Sequence, residues 1–191
     1  MKAAVILGST GILLSGAIAP AMAETAESTV SGGSLGATTA GATLAGVTLN
    51  GFDQSVTGPS SEWTITDARG TGAAWTLSAM ATAPTSAAGT TIDKFARVIP
   101  VDNLTITPGT ITAGEGSDPA SSVTAPTLKM SGSTQTLVSG SPSSTSQSKG
   151  TYKLTPTFSL TIPANAYRSN WNAAVDTGLI PYISTITFTI A

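Results

Sequence analysis

From residue 152 to residue 162, apolar and polar side chains alternate one for one. Tyr152, Leu154, Phe158, Leu160 and Ile162 fall on one face, and Lys153, Thr155, Thr157, Ser159 and Thr161 on the other. A period of two belongs to a strand with one face buried, and it is hard to reconcile with a helix. The last segment has the same phase: Ile186, Phe188 and Ile190 point one way, and Thr185, Thr187 and Thr189 the other. Between such runs the chain is punctuated by Gly, Pro, Ser and Thr. Charged residues are only 9 % of it, so the usual surface helix formers are scarce. This pattern predicts an all-β fold, an antiparallel β-sandwich or barrel-like single domain with long polar loops and at most one short helix.

Further elements follow from the same reasoning. Residues 63–67 and 74–79 read as two strands joined by residues 68–73, where Gly70 and Gly72 supply the positive φ of a tight connection. Residues 43–49 and 104–107 are further strand candidates. Pro156 removes a ladder donor, which places the 152–162 strand at a sheet edge or bulges it there. Residues 164–179 are the one helix candidate, with Gly178 at its end. Residues 113–126 and 139–150 read as loops, the second too polar to bury anything and expected to be mobile.

The first residues look like a targeting segment. Met1-Lys2 is a short positive start, an apolar run follows over residues 5–19, and Ala21-Met22-Ala23 matches the small-x-small pattern cut by signal peptidase. The expectation is a signal peptide over residues 1–23 and a mature domain over residues 24–191. No second apolar stretch approaches membrane-spanning length, so no membrane span is expected after cleavage. No Leu-Pro-x-Thr-Gly sorting signal is present. A secreted or cell-surface location follows from this reading.

Composition limits the chemistry. The 191 residues include no His and no Cys. Nucleophilic triads that use His, thiolate metal sites and disulfides are thereby excluded. The formal net charge of −2 leaves no footprint for nucleic acid. Asp and Glu are scattered, so a carboxylate pair for glycoside hydrolysis has no marked partners. Asp93, Asp102, Glu115 and Asp118 lie near predicted loops, where Asp is common for turn chemistry. The expectation is no enzyme activity, no cofactor and no metal.

The aromatic residues are the remaining candidates for binding. Trp75 and Phe188 lie in phase with apolar strand faces, which favours packing. Trp171, Tyr167 and Asn170 lie in a polar segment and suit a platform that stacks on sugar faces. Asp67 and Arg69, two residues apart, read either as an ion pair that orders the connection or as ligand contacts.

Two segments built on an aromatic-x-aliphatic triplet carry a family resemblance. The first runs from Trp63 through residues 66–72 to Trp75-Thr76-Leu77. The second holds Tyr182, Ile186, Thr187, Phe188 and Ile190. Together with residues 30–35, they resemble the WxL domain of Gram-positive surface proteins. Phe188 stands where that family usually has Trp, and Ile190 where it usually has Leu. The resemblance implies non-covalent attachment of an exported protein to the cell wall, through peptidoglycan or an attached polymer. It implies motif or wall-contact roles for Trp63, Asp67, Arg69, Trp75, Leu77, Trp171, Tyr182 and Phe188. It also implies action alongside other surface proteins. A self-assembling surface or fibre subunit, pairing through strand edges, is the alternative, and a secreted carboxylate-dependent hydrolase a third.

Overall fold

A computed structural model of the chain describes residues 27–90, 92–143, 146–172 and 178–191. The signal-peptide expectation therefore lies outside the described residues. The chain divides into two units, residues 1–30 and 31–191. All the sheets lie in the second.

Among the described residues the fold is all-β, with antiparallel sheets and no closed barrel. Its strands are β1 (Leu35–Thr38), β2 (Gln54–Pro59), β3 (Trp63–Asp67), β4 (Trp75–Ala81), β5 (Thr85–Ser86), β6 (Arg97–Val98), β7 (Leu104–Thr107) and β8 (Thr112–Ala113). They continue as β9 (Val123–Thr124), β10 (Leu128–Lys129), β11 (Gln135–Gly140), β12 (Gly150–Leu154), β13 (Thr157–Ile162), β14 (Asn170–Trp171), β15 (Leu179–Ile180) and β16 (Ile186–Ile190). Three sheets run β1-β3-β12-β8, β10-β7-β13-β2 and β16-β4-β11-β9, and two short pairs join β14 with β15 and β5 with β6.

The alternation over residues 152–162 is real, but it belongs to two strands. β12 pairs with β3 and β8, and β13 pairs with β2 and β7. Pro156 falls between them, where no ladder bond is needed, so neither strand is an edge. Its carbonyl accepts the Ser60 N–H at 2.8 Å. β2 and β3 break at the same level, so the two strand pairs run as one long ribbon through both sheets. The buried face keeps its phase across the break, from Tyr152 and Leu154 to Phe158, Leu160 and Ile162.

The third sheet lies against this ribbon. Trp63 of β3 meets Phe188 of β16 edge-on, with centroids 4.9 Å apart. Trp75 of β4 meets Tyr152 of β12 at 6.2 Å. A register shift in β11 between Thr136 and Val138 turns Leu137 and Val138 both inward, as a bulge does.

Several local expectations are corrected. Residues 68–73 do not close a hairpin, because β3 and β4 belong to different sheets. Gly70 and Gly72 do have positive φ, at 72° and 67°. The described part of residues 164–179 holds no helix; Asn170 and Trp171 pair instead with Ile180 and Leu179, while residues 173–177 lie outside the described residues. Residues 43–49 join no sheet. Residues 113–126 contain a 3₁₀ turn, Ala120–Ser122, and lead into β9. The polar 141–149 segment is partly interior, with Ser148 buried completely.

Candidate functional site

The proximal segment builds the interior. Trp63 is fully buried, and its indole N–H is shared between the Ala40 carbonyl at 3.0 Å and Ser60 Oγ at 2.9 Å. Trp75 and Leu77 are each 1 % exposed. The Trp75 indole N–H donates to the Ser148 carbonyl at 3.0 Å. Ser148 Oγ in turn donates to the carbonyls of Ser122 and Ser141. A buried indole needs an acceptor, and the polar loop supplies it. Composition alone misses this, because the polar groups face one another across the loop.

Asp67 and Arg69 form an ion pair. Arg69 Nε reaches Asp67 Oδ1 at 2.9 Å and Nη2 reaches Oδ2 at 3.0 Å. The Arg69 backbone N–H donates to Oδ1, and Nη2 also donates to the Ala73 carbonyl. Both carboxylate oxygens are thus occupied and the side chain is buried. The guanidinium hydrogen bonds hold the Asp67 carboxyl below its usual range. The pair clamps residues 67–73 as they cross from one sheet to the other, which fits the ordering role.

Of the three residues expected to form a sugar platform, Asn170 is buried while Trp171 and Tyr167 are exposed. Asn170 is 1 % exposed, and its amide reaches the carbonyls of Ala87 at 2.9 Å and Phe95 at 2.7 Å. It pins the 86–95 segment and has no face for a ligand. Trp171 is 41 % exposed, and its backbone N–H donates to Asp93. Asp93 also pairs with Arg168 at 2.8 Å. Tyr167 is open to solvent and carries the Arg97 guanidinium over its ring at 4.1 Å.

The distal segment instead lines a groove of about 1130 Å³. Tyr182, Ile186 and Phe188 form one wall, and residues 41–49 the other. Its floor is the inner face of the β2-β13-β7 sheet, presented by Val56, Leu104, Phe158, Leu160 and Ile162. Tyr167, Arg168 and Ser169 close one end. The Tyr182 hydroxyl donates to the Tyr167 carbonyl at 2.8 Å, tying wall to rim. Burial raises the pKa of that phenol. An apolar cleft with a few polar groups at its rim is the usual form of a ligand site. Period-two patterning marks each floor residue as interior, yet it cannot show that these residues also line a groove.

Among the described residues no group of three or more acidic side chains is placed to hold a metal ion. Asp118, one of the loop acids, is a staple: its Oδ2 accepts the N–H groups of Gln147 at 2.9 Å and Lys149 at 3.0 Å. No helix among the described residues is long and apolar enough to cross a membrane.

No family model matches the chain, and no curated protein or solved structure matches it either.

Proposed function

We propose that the chain is an exported, non-catalytic surface protein that binds the bacterial cell wall without a covalent bond, through peptidoglycan or a polymer attached to it. The groove rim is the observation that carries this reading. It joins the rings of Tyr167 and Tyr182 to the hydroxyls of Thr43, Thr48, Ser169 and Ser184. Rings stack on the apolar faces of sugars and hydroxyls bond their edges. A repeating polymer can multiply such weak contacts, so none of them has to be strong.

The WxL-like segments divide the work in this reading. Trp63, Trp75 and Leu77 set the sheets from inside, and Tyr182 and Phe188 reach the groove. The sequence has neither His nor Cys, which points to binding rather than turnover. A partner surface protein would join the same complex through the exposed side chains around the rim.

The test is co-sedimentation of the purified protein with peptidoglycan sacculi, before and after secondary polymers are stripped. Retention on both preparations, reduced by Tyr182→Ala, supports direct peptidoglycan binding. Retention lost on stripping moves the ligand to the attached polymer. No retention on either sinks the wall reading. Concentration-dependent fibres in sedimentation velocity would instead favour the assembly alternative.

A further inference from the structure

The groove floor asks for something that a sugar polymer does not provide. Leu104, Phe158, Leu160, Ile162 and Val56 present only hydrocarbon. Over Phe158 and Leu160, β13 is hydrogen-bonded on both flanks, by β2 and by β7, so this middle part of the floor offers no free backbone group. A hydroxyl or amide laid on it would lose water and find no partner. An aliphatic chain loses nothing there, and it covers the exposed Val47 and Ile183 of the same groove.

The wall opposite Tyr182 is tied down at few points. Residues 41–49 belong to no strand, with Ala42 and Leu44 half-buried against the core. Among the described residues, no backbone group between 41 and 49 bonds to another backbone group. The strap is tied near its ends. The Ala40 carbonyl accepts from Ser60 and Trp63, and the Thr48 carbonyl accepts from Gln54 Nε2 at 3.0 Å. Lifting the stretch between these ties breaks no sheet ladder, so it belongs to the low-stability end of the structure.

The rim beside Tyr167 is cationic. Arg97 lies over the Tyr167 ring and, among the described residues, has no carboxylate at ion-pair distance. Arg168 is paired with Asp93 but is 59 % exposed, and Lys94 is exposed close by in sequence. One acid, Asp93, lies near two guanidinium groups, Arg168 and Arg97, so the local balance favours an anion.

We propose that the groove holds one long aliphatic chain bearing an anionic head group. The tail lies on the β2-β13-β7 floor beneath the 41–49 strap, and the head lies at Arg97 and Arg168. This reading uses the groove already described but does not rest on wall binding.

The experiment is calorimetric titration of the purified protein with dodecyl phosphate and with uncharged dodecyl maltoside, each below its micelle concentration. The expected result is saturable one-site binding, at least tenfold tighter for dodecyl phosphate. Arg97→Glu, a surface change that leaves the core intact, should weaken dodecyl phosphate tenfold or more and move the maltoside less than twofold. Val56→Trp, which fills the floor, should weaken both. No saturable binding of dodecyl phosphate overturns the proposal. Equal affinity for the two detergents, or an Arg97→Glu response shared by both, also overturns it. So does exclusive binding of an extended Val-Thr alternating peptide, which would make the strap a strand-pairing edge. Retention on sacculi without amphiphile binding leaves the wall reading standing and removes this one; the opposite pattern does the reverse.

Discussion

Gly140 of β11 lies directly across the ladder from Trp75 of β4, and a β-carbon on Gly140 would overlap the Trp75 indole. The ring lies flat over the bare backbone of its neighbour. Gly140→Ala is therefore an overpacking change. It should destabilise the domain by about 1–3 kcal/mol, with Gly140→Val worse. Urea unfolding followed by Trp emission measures it. A midpoint equal to that of the unaltered protein would show that the indole has room to shift.

Trp75→Phe keeps most of the packing but removes the donor to the Ser148 carbonyl. The carbonyl would then be buried without a partner, at about 1–3 kcal/mol. Protease cleavage within residues 141–149 should rise before global unfolding, since that loop loses its attachment to the core. Unchanged cleavage would mean that the Ser148 hydroxyl and Asp118 hold the loop alone.

Asp67→Ala leaves Arg69 without its buried partner and frees residues 67–73. A loss of about 2 kcal/mol is expected, the scale of hydrogen bonds to a charged group. The pH dependence has a definite sign. The native Asp67 carboxyl titrates below its unfolded value of about 3.9. Its stabilisation is therefore complete above that pH and is lost as pH falls through the lower native pKa. Asp118 acts in the same direction, because the N–H groups of Lys149 and Gln147 favour its charged form. Acid unfolding curves of Asp67→Ala and Asp118→Asn should each be flatter than that of the parent below pH 4.

How much of this could be read from the chain depends on distance along it. Strand identity was legible wherever side chains alternate, as at Tyr152, Phe158 and Phe188, because a strand's inner face follows from its own pleat. Sheet membership was not. Leu154 and Phe158 alternate as though they shared one strand, and only pairing with β3 or β2 separates them. The same limit hid the crossing at residues 68–73, where the glycines were correctly read but the destination was not. Asn170 looked like a surface amide because its three carbonyl partners, on Ser86, Ala87 and Phe95, lie about 80 residues earlier. The groove is the extreme case, since segments far apart in the chain line it and each follows an ordinary pattern.

Trp171→Ala separates the two candidate contact surfaces. Trp171 is 41 % exposed and its ring packs over Gly178, so stability should fall by about 1 kcal/mol, while retention on sacculi should stay within twofold of the parent. Tyr182→Ala should lower retention tenfold or more at unchanged secondary structure. The opposite ranking would return the binding surface to the Trp171 segment.

The pairing of β4 with β16 also sets an order of events in time. Trp75–Ala81 is flanked by Gln135–Gly140 on one side and, much later in the chain, by Ile186–Ile190 on the other. A chain made from its N-terminus therefore carries β4 with one flank bare until Ile186–Ile190 has emerged from the ribosome. Closure over so long a separation is slow, so this sheet is completed last.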